Sequence, residues 1–212
     1  MRIALMLFLL ALLTGCSTPP IASGWSPPAI TGHLAVADLT ESSGFAPSHR
    51  SSGLLWSHND SGGEPVIYAL GPDGADRGRV RIAGAINRDW EDIASFELDG
   101  RAYLLIADTG DNLAVRTDCR LYVIVEPDPA ALTPGREITV PIAWDMPVVY
   151  ADHPRDCESV AVDANEGYVY LLSKRERPVG LYRLPLRTPA PAVTPPAEFL
   201  TLVSQIPQPI GP

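Results

Sequence analysis

Residues 87–112 read NRDWEDIASFELDGRAYLLIADTGDN. Two apolar runs are joined by Asp99-Gly100 and fenced at their outer ends by acids, Asp89-Trp90-Glu91-Asp92 on one side and Asp108 to Asn112 on the other. An Asp-Gly pair between two short apolar runs predicts a tight β-hairpin. Antiparallel pairing folds the outer ends of such a hairpin onto each other, so the two acidic fences become neighbours. The stretch therefore predicts a strand pair with carboxylates gathered at the end opposite its turn.

The same order returns on either side. An acid followed by small and apolar residues opens each unit: Glu41-Ser-Ser-Gly-Phe-Ala, Glu91-Asp-Ile-Ala-Ser-Phe and Glu158-Ser-Val-Ala-Val-Asp. A short run ending in polar residues comes next: LLWSHND (54–60), YLLIADTGDN (103–112) and VYLLSKRE (169–176). An aliphatic-Tyr pair follows: Ile67-Tyr68, Leu121-Tyr122 and Leu181-Tyr182. A fourth apolar run closes each unit: RVRIAG (79–84), EITVPIAW (137–144) and EFLTLVSQI (198–206). Gly53, Gly100 and Gly167 stand where the first strand of each unit turns into the second. Four short strands per unit, with units roughly 50 to 65 residues apart, is the pattern of β-propeller blades. The expected fold is therefore all-β, a β-propeller of four-stranded blades with about three blades present over residues 35–212. Propellers close with about four to eight blades, so the sequence is expected to be a truncated form of a longer propeller.

Before this region lie segments of another kind. Met1-Arg2, the apolar run IALMLFLLALL and Leu13-Thr14-Gly15-Cys16 form a short export signal, too brief for a typical membrane helix. The tetrad resembles the lipobox of bacterial lipoproteins, which implies cleavage after residue 15 and lipidation at Cys16. Acyl chains there would make an anchor rather than a span. Residues 16–34, rich in Ser, Pro and Gly, read as a flexible tether. Ser17 after the Cys points to the outer membrane, on its periplasmic side, in a Gram-negative cell. Loss of residues 1–15 would leave 15 basic against 25 acidic side chains, a formal charge of −10. With no basic stripe to neutralise phosphates, nucleic acid is not an expected partner. The expected partners are the membrane, through the anchor, and a ligand or envelope protein that the sequence does not identify.

Blade topology places the start of each first strand and the end of each second strand on one face of the disc. Glu41, Glu91-Asp92 and Glu158 would share that face with Asn59-Asp60, with Asp108, Asp111 and Asn112, and with Lys174-Arg175. Such a cluster has three outcomes: a hard cation, Ca²⁺ before Mg²⁺ or Mn²⁺; ion pairing to Lys174, Arg175 and Arg88; or turn hydrogen bonding alone. The candidate metal ligands are Glu41, Glu91, Asp108 and Glu158, and the candidate bases are Asp108 and Asp111. Cys119 and Cys157 would start strands on that same face, so an exported chain could join them as a disulfide across adjacent blades. Trp56, Trp90 and the Tyr of each aliphatic-Tyr pair read as packing between blades. Ser57, His58 and Asp60 do not make a nucleophile set, because adjacent strand residues point to opposite faces. No nucleophile elbow, His-Glu-x-x-His or phosphate loop occurs.

The blocks ESSGF…LLWSHNDSG…IYAL, DWEDIA…YLLIADTGDN…LYVIVEP and RDCESVAVD…VYLLSKR…GLYRLPL resemble a family of secreted bacterial β-propellers, many of them lipoproteins. They are similar to the SdiA-regulated and phytase-like propeller groups, and more distantly to the gluconolactonase group. The resemblance covers residues 37–203 and is most specific in DWEDIA and DTGDN. It implies a propeller fold, a channel Ca²⁺ and further blades, but no particular reaction. Related sequences carry Asp-Ala-Glu-Ala where this chain has Asp156-Cys157-Glu158-Ser159, so the disulfide does not follow from the family. The expected function is that of a lipid-anchored binding module with an acidic, Ca²⁺-binding channel face. The alternative is a metal-dependent hydrolase, lactonase- or phosphoesterase-like, acting through the same carboxylates.

Overall fold

The Asp99-Gly100 turn forms as its composition demands. Both residues hold positive φ, 51° and 72°, and the strands beside them pair from Leu98↔Arg101 back to Trp90↔Asp108. That conformation matches the right-handed twist of the flanking strands, and glycine adopts it without a Cβ clash. In the computed structural model, which describes residues 29–186 and 196–203, this hairpin is the start of the middle of three sheets.

Sheet one contains β1 (Ser42–Pro47), β2 (Leu55–Asn59), β3 (Val66–Leu70) and β4 (Asp76–Ala83) in sequential antiparallel order. Sheet two contains β5 (Trp90–Leu98), β6 (Arg101–Asp108), β7 (Arg120–Val125) and, after an intervening strand, β9 (Trp144–Pro147). Sheet three contains β10 (Cys157–Asp163), β11 (Tyr168–Ser173), β12 (Val179–Pro185) and β13 (Glu198–Val203). The chain is all-β in its regular structure, apart from a single 3₁₀ turn at Pro129–Ala131 among the described residues.

One expectation needs correction. Residues 137–144 do not form the fourth strand of the second unit. β8 (Glu137–Pro141) instead joins the outer edge of sheet one, parallel to β4, from Arg79↔Glu137 to Ala83↔Pro141. There Ile138 and Val140 pack against the cluster that contains Val80 and Ile82, and Arg81 Nε bonds Glu137 Oε1 at 2.7 Å. Pro141 has no N–H to extend the strand, and the chain crosses back so that Ala143 N donates to Val123 O at 2.8 Å. The fourth strand of sheet two is thus β9. Residues 31–35, the end of the stretch read as tether, run against the β3–β4 turn, with His33 N on Asp73 O and Ala35 N on Gly74 O at 3.1 and 2.9 Å.

Two apolar seams join the sheets. Along β6, Leu104 and Ile106 pack with Trp56, Ile67, Val80 and Ile82 of sheet one. Leu105 and Ala107 pack with Val169, Leu171 and Leu184 of sheet three. All four β6 side chains have no exposed surface, so alternation sends them in turn to opposite seams. Each buried Leu or Ile contributes about 1.5–3 kcal/mol relative to exposure.

The first strands β1, β5 and β10 lie side by side as the inner edges of the sheets. Ser43 Oγ donates to Glu91 O at 2.9 Å, and Val160 N donates to Asp92 Oδ2 at 2.8 Å. These bonds cap groups that an unpaired strand edge would otherwise expose. The three strands line a groove of about 390 Å³, with Phe45, Ala94 and Ala161 on its walls.

Glu126 locks sheet two to sheet one at the opposite end. It follows β7 with no exposed surface and accepts from Ser48 Oγ, from His49 N at 3.0 Å and from Trp56 Nε1 at 3.0 Å. Glu126→Ala strands three donors, Trp56 Nε1 being buried, and bonds to a charged acceptor are worth about 1.5–3 kcal/mol each. The substitution is expected to lower stability by about 3 kcal/mol or more, read as a lower urea midpoint at unchanged slope.

Candidate metal centre

The register of the three hairpins decides which acids are equivalent. The inner strand of each sheet opens on a pair with the end of its neighbour: Ser42↔Asn59, Trp90↔Asp108 and Cys157↔Ser173. In each sheet the register then shifts by a bulge within the next residues. Ser42, Trp90 and Cys157 are therefore equivalent, which aligns Glu41-Ser42-Ser43 with Asp89-Trp90-Glu91 and Asp156-Cys157-Glu158. The repeated element is acid-x-acid, whose two acids share one face of a strand start, and in the first unit the second acid is Ser43. Glu41 thus corresponds to Asp89 and Asp156, not to Glu91 and Glu158.

Two trios of carboxylates result, Asp60–Asp89–Glu91 and Glu91–Asp156–Glu158. Within each, one oxygen per residue lies within 4.8 Å of the others. Asp60 comes from the end of sheet one, Asp89 and Glu91 from the start of β5, and Asp156 and Glu158 from the start of β10. Glu91 belongs to both. Oxygens spaced this way can all reach one Ca²⁺ at about 2.3–2.6 Å, since opposite ligands then stand about 5 Å apart.

Glu91 is 6% exposed, and no hydrogen bond or ion pair to its carboxylate occurs among the described residues; its backbone carbonyl alone is bonded, by Ser43. Burial, and then the charges of Glu158, Asp60, Asp89 and Asp156, push its pKa up to about 8. Burial and Asp60 likewise raise that of Asp89. At an effective dielectric of about 20, two charges 4.8 Å apart repel by about 3–4 kcal/mol. With several pairs, that cost requires protonation or a cation. The backbone approaches closely: a Cβ on Gly110 would sit 2.2 Å from Glu91 Oε1 and 2.5 Å from Asp89 Oδ2. Only a glycine leaves both carboxylates their present positions.

The other acids are spoken for. Asp156, with a side chain fully buried, meets Arg175 Nε at 2.6 Å and accepts from Asp111 N at 2.8 Å. Glu158 pairs with Lys174 Nζ at 2.8 Å, which raises the lysine pKa. Asp108 holds Arg116 at 3.0 Å and accepts from Asp89 N at 3.1 Å; its pKa is still raised, because burial outweighs the arginine. Asp111 accepts from Arg116 N at 2.7 Å. Asp92 accepts from Ile93 N and Val160 N.

Of the four expected ligands, the structure brings Glu91 and Glu158 together but leaves Glu41 and Asp108 outside both trios. Glu41 is exposed and contributes its backbone, donating to Asn59 Oδ1 at 3.0 Å. Asp108 is turned onto Arg116. Both expected bases, Asp108 and Asp111, support the loop around Arg116. Of the expected countercharges, Lys174 and Arg175 serve, whereas Arg88 pairs with Asp118 at 2.7 Å. The members of the two trios not singled out from the sequence as candidate ligands are Asp60, Asp89 and Asp156; the acid-x-acid spacing of Asp89-Trp90-Glu91 and Asp156-Cys157-Glu158 was the available signal.

Cys119 and Cys157 are free, buried thiols in the seam between sheets two and three. Burial pushes their pKa values up to about 12 and about 11, so thiolate is scarce at neutral pH. Cys16 lies outside the described residues. Trp56 and Trp90 are fully buried, and Trp90 Nε1 donates to Ile86 O at 3.0 Å, as packing residues should. Ser57 Oγ bonds Ser42 Oγ at 2.7 Å, while His58 Nδ1 bonds Asn59 O, so these two serve separate contacts.

Glu91 makes apo stability depend on pH with a definite sign. Its folded pKa of about 8 exceeds the ordinary 4.5, so in this window the folded chain binds more protons than the unfolded one. Stability of ion-free protein therefore falls as pH rises from about 4.5 to about 8. Thermal melts in chelator are expected to show that decline, and Glu91→Gln is expected to flatten it. Compared with protein-family models, with curated proteins and with solved structures, the chain matches none.

Proposed function

We propose that this chain is a lipid-anchored, extracytoplasmic β-propeller module that binds a ligand or envelope partner through an acidic face loaded with a hard divalent cation, Ca²⁺ first. Support for the propeller reading comes from three successive four-stranded antiparallel units, the first carrying β8 as a fifth, parallel strand, with their first strands side by side and their seams apolar. Support for the anchor, and with it for a location in the cell envelope at the outer membrane of a Gram-negative cell, comes from the lipobox-like Leu13-Thr14-Gly15-Cys16. Membership of the secreted bacterial propeller lipoproteins belongs to the same proposal.

The observation that carries the cation is Glu91. A carboxylate on so buried a residue, with no hydrogen-bond donor among the described residues and shared by two trios, is costly to ionise unless a positive charge completes it. The ligand set is all oxygen, which suits Ca²⁺, Mg²⁺ or Mn²⁺ rather than softer metals. A bound ion would draw the acids into the ionised state and leave coordination positions open to solvent or ligand.

A metal-dependent hydrolase is the second reading, favoured by one feature. The same all-oxygen trio could hold a cation that polarises a carbonyl or phosphoryl oxygen of a substrate. Asp108 and Asp111, both committed to Arg116, do not suit the role of base.

Calorimetric titration of chelator-treated protein with CaCl₂, MgCl₂ and MnCl₂ separates these ideas. Wild type is expected to bind Ca²⁺ and Glu91→Gln to lose at least about tenfold in affinity, the usual scale for removing a charged ligand. A panel of lactones and phosphoesters should show no turnover for a binding module. Metal-dependent turnover that disappears in Glu91→Gln would establish the hydrolase instead, and failure to bind any of the three ions would overturn the cation-loaded reading.

A further inference from the structure

The two trios share Glu91 but differ in their other acids and in their charge. Asp60 and Lys174 occupy the same place in their sheets: each follows the last residue of the second strand and donates its N–H to the residue before the first strand. The bonds are Asp60 N to Glu41 O and Lys174 N to Asp156 O, both 2.9 Å. In sheet two the same bond is made by Gly110 N to Asp89 O at 3.1 Å. In sheet two the residue directly after β6 is Thr109, one place earlier, so it is the donor of this bond that is an acid, a glycine and a base in succession.

This pattern sets the charge at each seam. Between sheets one and two, Asp60 faces Asp89 and Glu91, and no ion pair to any of the three occurs among the described residues. Arg116, whose charge acts to lower the pKa of Asp89 against the larger effect of burial, spends its guanidinium on Asp108, Asp118 and Gly110 O. Between sheets two and three, Gly110 adds no acid where sheet one has Asp60, and the third acid is Glu91 itself. There Lys174 closes onto Glu158 and Arg175 onto Asp156, with a further Arg175 bond to Asn112 of sheet two. Glu91, a residue 6% exposed, stands between the two seams with its carboxylate in both trios and no partner to it among the described residues.

We infer that a single divalent cation sits at the seam of sheets one and two on Asp60, Asp89 and Glu91, and that Lys174 and Arg175 are built-in substitutes for a second cation at the seam of sheets two and three. The inference rests on the cation-loaded reading above and specifies its site and count. Asp60 and the pair Asp89/Glu91 belong to different sheets, so the ion clasps one seam, as Arg175 clasps the other through its bond to Asn112. A hard cation needs the carboxylates of one trio free of competing donors; the first trio offers this and the second does not.

Native mass spectrometry and calorimetry with CaCl₂ test the count. Wild type is expected to take about one ion per chain, and Asp60→Asn to lose it, because two carboxylates remain in place of three. The double substitution Lys174→Met/Arg175→Gln, at side chains half exposed in the native fold, is expected to raise the count to about two. Far-UV circular dichroism before ion addition verifies that each variant is folded. An undiminished Ca²⁺ affinity in folded Asp60→Asn, or a count that stays near one in the folded double variant, overturns the inference while leaving ion binding itself intact. No ion in the wild type overturns both.

Discussion

Sheet two must be covered on both faces, and the arrangement of the acids follows from that. Leu104-Leu105-Ile106-Ala107 gives β6 four consecutive side chains with no exposed surface, which a sheet with one wet face cannot accommodate. Sheets one and three supply the covers, each through its own apolar cluster. Once both seams close, β1, β5 and β10 are held side by side with their starts at one end. Several buried Leu and Ile side chains at about 1.5–3 kcal/mol each outweigh a few carboxylate repulsions of about 3–4 kcal/mol. Packing therefore forces the charges together, and their electrostatics is settled locally.

The local solutions differ by residue. Asp108 takes a guanidinium, Asp92 and Glu126 take N–H or O–H donors, and Asp156 and Glu158 take the cations that follow β11. These groups act as joints of the framework. Asp60, Asp89 and Glu91 have no such partner among the described residues, and Glu91 responds with the raised proton affinity expected of a desolvated acid among like charges. A site is distinguished here less by how many acids it contains than by which of them the fold leaves unsatisfied.

Much of the framework was legible in the chain. Asp99-Gly100 marked its hairpin because both turn positions need positive φ, and the apolar runs of the three units marked their strands. The run at 137–144 was not legible in the same way. Its residues suit a strand on either sheet, and only the open edge of β4, with Val80, Ile82 and Arg81 presented to it, draws β8 away from sheet two. The candidate ligands show the same division. Glu91 and Glu158 could be picked out by their recurrence, but Glu41 was aligned with them by residue type, whereas hydrogen-bond register aligns it with Asp89 and Asp156.

The amino-acid sequence alone determined an all-β chain of repeating strand units with acids at the strand starts, because strand periodicity and turn stereochemistry are local properties. Tertiary structure decided which acids meet, which are neutralised by Arg116, Lys174 and Arg175, and which stay unpaired. Those outcomes depend on bulges, strand exchange and the distance between charges of different sheets, and such quantities exist only once the sheets have packed.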